Sequence, residues 1–511
     1  MAARFGRTRS VALTGLVGTL VDVEAHIGPG LPAFTIGGLP DKAIAQAPDR
    51  IKAAASSIEG QWSQIRVTVN LSPASLPKHG TGFDLPIAVA VLVARGALPH
   101  MAEGVCHLGE IGLDGSVRPV RGILPSVLAA VRGGIRTVVV PADNSGEARL
   151  VEGVTVHAVR SLEDVLTGYA AVASGRPWPT VDVPGAVDVA DERGVDLADV
   201  VGQHRARLAL ELAAAGGHHL LLKGPPGAGK TMLAERLVTV LPPLTRDEAL
   251  EVQAIRSIHG LPGAVRALPT RPPFVAPHHS SSQAALIGGG APVIRPGEIS
   301  RAHHGVLFLD EAGEFATSVL QALRQPLESG HVVIGRALST VEYPAAFQLI
   351  LATNPCPCGN AVGTGAECRC STLELRRYAA RLTGPLMDRV DIRVAVGRVS
   401  RADLGGPPGE PSEVVAGRVA RAREVQLARW SEIGQRVNGR VPGPILRQAR
   451  WRPPRRALAE ADHRLDRGAL TLRGYDRVLR LAWTLADLAG RTVPGSGDVG
   501  AALQMRIETA A

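Results

Sequence analysis

Eight consecutive residues, Gly224-Pro225-Pro226-Gly227-Ala228-Gly229-Lys230-Thr231, set glycines, a lysine and a hydroxyl in the order that cradles phosphate. The glycines let backbone N–H groups curl around phosphate oxygens. Lys230 would reach the β and γ phosphates, and the Thr231 hydroxyl would hold Mg²⁺. The competing reading is a plain Gly-Pro turn, which the full eight-residue match disfavours. About 80 residues on, the apolar run Val306-Leu307-Phe308-Leu309 ends in Asp310-Glu311. Asp310 would hold Mg²⁺ through water, and Glu311 would orient and deprotonate an attacking water. A third set is Cys356-Pro357-Cys358 and Cys368-Arg369-Cys370, four of the five cysteines within fifteen residues. Four thiolates can hold a tetrahedral zinc ion, although the usual spacing is Cys-x₂-Cys. A redox-labile pair or silent thiols are the alternatives. Cys106 stands alone and reads as a core residue.

These groups need elements to carry them. His219 to Lys223 reads as a buried strand and Met232 to Leu237 as a helix, the strand–loop–helix setting that a phosphate loop requires. Phe347 to Thr353 is another buried strand, ending at Asn354. Arg205 to Ala215 reads as a helix leading into the phosphate-loop strand. Before it, Tyr169 to Val195 turns rich in Pro, Gly and Asp and reads as a linker. The first 168 residues mix short strands (Val11–Leu13, Val17–Val23, Ile65–Val69) with helices (Asp41–Ser57, Leu85–Ala94). Beyond Val399, helices are expected over 412–434, 445–450, 454–465 and 475–488.

At 511 residues the chain should hold two to four domains, and 45% hydrophobic residues suffice to build their cores. No run reaches the ~18 apolar residues of a membrane span. Val11 to Val23 is interrupted by Asp22 and reads as a strand, not a signal peptide. Few cysteines argue against a disulfide framework, so the expectation is a cytoplasmic protein. The net charge is +9, and residues 396–511 hold 20 arginines, no lysine and 12 acidic residues. That surplus suits either a polyanionic partner or a solvated helical surface.

Leu76-Pro77-Lys78-His79-Gly80-Thr81-Gly82-Phe83-Asp84-Leu85-Pro86, Gly109 to Gly115 and Arg132-Gly133-Gly134-Ile135 resemble segments of Lon-type proteases. The resemblance implies a Lon-like (ribosomal S5 domain 2-like) α+β domain over 1–168. It also puts Gly82 where Lon has its serine and Leu124 where it has its lysine, and neither can attack a carbonyl or move a proton. Ser72, Ser75 and Lys78 remain nearby as a displaced alternative, but a structural, regulatory or partner-binding role is expected.

The phosphate loop, the Walker B pattern at Asp310-Glu311 and Asn354 resemble the αβα core of AAA+ ATPases. That likeness implies that Asn354 positions the lytic water and that Val201 and Gly202 touch the adenine. It implies that Arg389 is an arginine finger offered to a neighbouring subunit, and that Arg473, or else Arg477, touches the nucleotide from a helical lid. The alternatives are ion pairs of Arg389 with Asp388 or Asp391, and of Arg473 or Arg477 with Asp476 or Asp487. The blocks Arg271 to Ser280, Gly288 to Ser300 and the expected hairpin Gly330 to Ala345 narrow the match to the magnesium-chelatase-like AAA+ family, in its competence-protein branch. This resemblance implies an α/β P-loop core over 196–398 after a linker at 169–195, and an Arg-rich helical lid over 399–511. The family further implies ATP and Mg²⁺ as cofactors and a homo-oligomeric, usually hexameric, ring. The expected partner is branched or single-stranded DNA, with a helicase-like branch-migration activity; no membrane or tetrapyrrole is expected. A zinc clip at Cys356, Cys358, Cys368 and Cys370 would brace the loop beside Asn354. A metallochelatase motor subunit and a chaperone or unfoldase are the competing readings. Stimulation by porphyrin-binding partners, or degradation of casein, would tell them apart from a DNA motor.

Overall fold

The computed structural model describes residues 4–59, 65–182, 194–260, 265, 267–290, 293–336, 339–361, 367–382 and 384–506. The middle of the expected linker, the tip of the expected hairpin and Thr383 fall outside them.

Five short strands form one parallel sheet, in the spatial order Phe274–Val275, Val306–Leu309, Gln348–Thr353, Leu220–Lys223 and Ile392–Ala395. Strands of this kind are buried on both faces, which is why their sequences are unbroken apolar runs and not alternating ones. Leu220, Leu222, Phe308 and Ile350 pack into one cluster with the helices on one face, and Leu221, Leu307, Leu309 and Leu351 into another on the opposite face. Every strand runs the same way, so the residues that follow Lys223, Leu309 and Thr353 come out together at one edge.

The first part of the chain is a separate seven-stranded mixed sheet, ordered Ala33–Gly37, Arg66–Ser72, Val17–Gly28, Arg4–Thr14, Cys106–His107, Thr137–Pro141 and Thr155–Val159. Here Val21, Val23, Ala25 and Ile27 point inward at every second position, against the fully buried helix Asp84–Arg95. The expected helix from Asp41 is two pieces, Lys42–Ala45 and Ala47–Glu59. The domain also runs further than its sequence suggests. The helix Leu162–Ala173 carries Tyr169 into the core, and Trp178 stacks on His157 with centroids 4.2 Å apart and meets Tyr169 edge-on. The Pro- and Gly-rich composition of 169–182 therefore marks a docked strap, because its aromatic residue buries more surface than a free linker would.

The C-terminal helices Ser412–Trp430, Arg455–Asp466, Leu472–Leu488 and Ser496–Arg506 enclose Trp430, Trp451 and Trp483. Their apolar faces merge with the helical face of the parallel sheet in a single cluster. The first domain docks on the helix Arg246–His259: Gly122 N–H donates to Ser257 O at 3.0 Å, and Gln253 donates to Glu147 at 3.2 Å. Among the described residues no helix is long and apolar enough to cross a membrane.

Candidate nucleotide site

Three neighbouring strands deliver the expected phosphate-handling residues to one edge. Gly227 and Gly229 have φ of 74° and 86°, a region where a side chain would be strained. A Cβ on Gly224 would stand 2.1 Å from the Val396 carbonyl oxygen, so only glycine permits that close approach. Gly229 then opens the helix Lys230–Val240, whose first N–H groups point toward the loop.

Lys230 is mostly buried, and its ammonium donates to the carbonyls of Gly224 (2.8 Å) and Pro225 (3.0 Å) and to Asn354 Oδ1 (2.9 Å). Burial lowers its pKa, opposed by the charges of Asp310 and Glu311. Anionic phosphate would restore the charged form. The Thr231 hydroxyl donates to Asp310 Oδ2 at 2.6 Å, placing two candidate Mg²⁺ ligands in contact. Asp310 is held in turn by the Glu311 N–H at 2.9 Å. Glu311 adopts a left-handed φ of 50°, unusual for a glutamate, which turns its side chain out of the strand. Asn354 is steadied from behind, since Thr353 Oγ1 and Tyr378 OH lie 3.1 Å apart. The residues present thus fit Mg²⁺ and a triphosphate: a cation, two oxygen ligands for a hard ion and a further, exposed carboxylate converge there.

Val201 and Gly202 follow a short turn, Leu197–Asp199, fixed to the helix Lys230–Val240 by Arg236. That guanidinium donates to Asp196 O at 3.2 Å and to Asp199 at 2.9 Å. The segment therefore sits beside the phosphate-loop helix.

Arg389 and Arg473 lie elsewhere. The Asp391 N–H donates to His219 O, at the start of the strand whose far end leads into the phosphate loop. Five residues of strand separate those two edges by roughly 17 Å. Arg389, Arg473 and Arg477 line one cavity of about 280 Å³ with Arg440, Arg480 and Glu328. Neither expected pairing of Arg389 occurs; its guanidinium meets Glu328. Arg477 pairs with the buried Asp391, and Asp476 and Asp487 are taken by Arg447 and Arg429. Burial works against ionisation of Asp391, yet the Arg477 charge and the His218 hydrogen bond hold its carboxyl well below the usual range. His218 Nε2 meets Thr484 at 2.8 Å, so this knot pins the helix Leu472–Leu488 to the edge opposite the phosphates. Arg473 is thereby kept from the chain's own phosphate loop.

Several contacts had no legible signal. His279 Nδ1 lies 3.2 Å from Glu311 Oε2, joining the Pro277-His278-His279 block to the candidate catalytic acid. Glu251 Oε2 accepts from His303 and His304, both at 2.8 Å, across more than 50 residues of chain. Those bonds, the His303 one foremost, lower the Glu251 carboxyl to about 2 against its partial burial. His303 Nδ1 accepts the Ala346 N–H at 3.0 Å, so Nε2 carries the hydrogen and the cluster is a donor–acceptor knot, not a ligand set.

Some of the lid's arginines are engaged inside the protein. Arg418 bridges Glu211 and Glu410, while Arg423, Arg440, Arg480 and Arg506 donate to backbone carbonyls. Those arginines, Arg480 apart, dock the lid on the core, while others such as Arg421, Arg455 and Arg456 are exposed.

Three segments match family models: residues 196–404 match magnesium chelatase, subunit ChlI; 23–144 match subunit ChlI of Mg-chelatase; 409–506 match its C-terminal part. The chain is 50% identical over 505 residues to an uncharacterized protein of Mycobacterium tuberculosis, covering 98% of both. It is 40% identical over 486 residues to the competence protein ComM of Haemophilus influenzae, covering 94% of this chain and 93% of ComM. A local match of 28% identity over 179 residues links it to the Lon protease of Haemophilus influenzae, covering 33% of this chain and 22% of the protease.

Proposed function

The chain belongs to the magnesium-chelatase-like AAA+ family, with Lon-like similarity in its first part, and from that premise we propose that it is a ring-forming ATPase that remodels DNA. One observation carries the ATPase reading: at one sheet edge, beyond the ends of three neighbouring strands, Lys230 already touches Asn354 and Thr231 touches Asp310. Bound ATP–Mg²⁺ supplies the reactive γ-phosphate. Lys230 would leave the Gly224 and Pro225 carbonyls for phosphate oxygens, and Thr231 and Asp310 would turn to the metal. Glu311 takes the proton of the attacking water, which Asn354 orients.

The arginine-lined cavity supports a ring. Arg389 and Arg473 stand together on the far edge of the subunit, so they would meet the γ-phosphate of a neighbour's ATP; a hexamer is the proposed assembly. The division into a Lon-like non-proteolytic domain (expected over 1–168, with its docked strap reaching 182), a nucleotide core (196–398) and a lid (399–511) belongs to the same proposal, as does a cytoplasmic setting.

The DNA reading, with branch migration as its form, is supported by the name of the competence relative. It is also supported by two packed inserts beside the site. The hairpin His331–Arg336 with Ser339–Pro344 rests on the ribbon Gly288–Gly289 with Arg295–Pro296, and Tyr343 OH donates to Ile294 O at 2.7 Å. Contacts to DNA would be mainly to phosphate, hence salt-sensitive and directed at shape. The test is ATP turnover against single-stranded, forked and four-way DNA at low salt, with oligomer mass measured with and without ATP. Stimulation by branched DNA on a ring is expected. Turnover indifferent to all three would overturn the DNA reading, and a monomer with ATP would overturn the shared site.

A further inference from the structure

Cys356, Cys358, Cys368 and Cys370 bring their sulfur atoms within 4.8 Å of one another. The Sγ–Sγ distances are 3.4 Å for 356–358, 3.8 Å for 358–368 and 3.7 Å for 356–368. A tetrahedral ion with metal–sulfur bonds of about 2.3 Å holds its sulfurs about 3.8 Å apart. Disulfides would instead join the thiols two by two, but all four are free and each faces the others around a shared centre. Backbone N–H groups also aim at the sulfurs: Ala361 donates to Cys356 at 3.3 Å, and Asn360 and Arg369 donate to Cys358. Such donors stabilise thiolate ligands from the second layer.

We propose that these four cysteines bind one zinc ion, and that the resulting knuckle is the buttress of the phosphate loop. The buttress has two visible contacts. Gly359, at φ 81°, lies so close to Pro226 of the phosphate loop that a Cβ there would be 2.5 Å from the proline ring. On the other side, Cys356 is fully buried two residues after Asn354, the partner of Lys230. After Cys370 the chain enters the helix Thr372–Arg381 through a Ser371–Glu374 capping box. That helix returns to both catalytic strands: Tyr378 meets Thr353, and Arg381 donates to Gly313 O at 2.7 Å, just past Glu311. Without zinc, Pro226 and Asn354 lose their common support, and the nucleotide pocket loosens while the rest of the fold stands.

The metal claim is independent of the proposed ATPase activity; the buttress claim rests on it. The test uses the full chain purified under reducing conditions with zinc in the growth medium. Elemental analysis should find about one zinc per chain, released in step with organomercurial titration of four thiols. Cobalt substituted for zinc should give the visible spectrum of a tetrahedral tetrathiolate. Cys358→Ser and Cys370→Ser should lose the metal, and Cys106→Ser should keep it. Stripping the wild type should weaken binding of a fluorescent ATP analogue about tenfold or more, and reduction with added zinc should restore it. The stripped wild type keeps the result interpretable if the serine variants fail to fold. Less than about a tenth of an equivalent of metal, with all four thiols reactive, would overturn the site. Full metal with unchanged nucleotide affinity after stripping would overturn the buttress. A wild type that holds zinc but binds no ATP would confirm the site, overturn the buttress and refute the ATPase reading.

Discussion

In the nucleotide core, the buried Lys230 reaches the half-buried Asn354 at 2.9 Å, and the exposed Thr231 reaches the half-buried Asp310 at 2.6 Å. In the first domain the comparable groups turn the other way. Lys78 is fully buried and gives its ammonium hydrogens to the Leu71 and Pro73 carbonyls. Leu124 is fully buried on the helix Ile123–Arg132, and Gly82 has room for a Cβ but no reactive group. Asp84 is buried against Arg50, which grips both its oxygens at 2.7 and 2.8 Å. Both lysines give hydrogens to backbone carbonyls, but only Lys230 does so beside a further polar set, Asn354, Asp310 and the exposed Thr231 and Glu311, while Lys78 and Asp84 are closed in. The first domain docks against the helix Arg246–His259, whose Glu251 is tied to the histidines just before the Asp310 strand.

The contrast can be broken first at the catalytic end. Glu311→Gln should cut ATP turnover by about 10²–10⁴-fold while binding of an ATP analogue persists. Arg389→Ala should be of comparable size, and mixing the two inactive proteins should recover part of the turnover. In one of the two orientations a mixed interface then pairs an intact Glu311 with a neighbour's intact Arg389. Equal loss in the mixture would place both residues in one chain's site.

Asp391→Ala leaves Arg477 and His218 facing each other without their shared acid, and breaking a buried pair from one side costs about 3–5 kcal/mol. Chemical denaturation would read this as early loss of the lid's tryptophan signal. The same pair sets a pH dependence. Asp391's carboxyl is depressed in the folded protein, so its stabilisation is present above the ordinary carboxylate range. It should fade as the pH falls below about 4 toward the folded value.

For the first domain, Lys78→Met should cost about 1–3 kcal/mol through the two carbonyls left unmet, with ATP turnover per folded chain unchanged and no casein cleavage at any stage. A peptidase activity that vanished in this variant would erase the contrast between the domains. The smallest effect is expected at His279. Its replacement by Ala frees Glu311, so DNA-free turnover should rise a few-fold and its further stimulation by DNA should shrink.

Much of the core was legible because its chemistry is local. The phosphate loop depends on glycines at fixed offsets, and buried parallel strands must be apolar without interruption, as in Val306-Leu307-Phe308-Leu309. The strap around Trp178 was not legible, because a Pro-rich segment looks alike whether it is free or docked. Nor was the fate of the arginines, since composition counts charges without their partners. Arg418 faces Glu211 across 207 residues of sequence.

The sequence by itself determined which residues could hold a triphosphate, two metal ions and a reactive water, because those demands fall on residue type and short spacing. Only the tertiary structure decided which of them meet. It brought Asn354 to Lys230 and Gly359 to Pro226, and set His279 against Glu311. It also sent Arg389 and Arg473 to the far edge of the sheet, away from the chain's own phosphate loop. The physical reason is that strand order, and the buried Asp391 knot that pins the lid, act between residues far apart in the chain. Local propensity carries no record of such pairs.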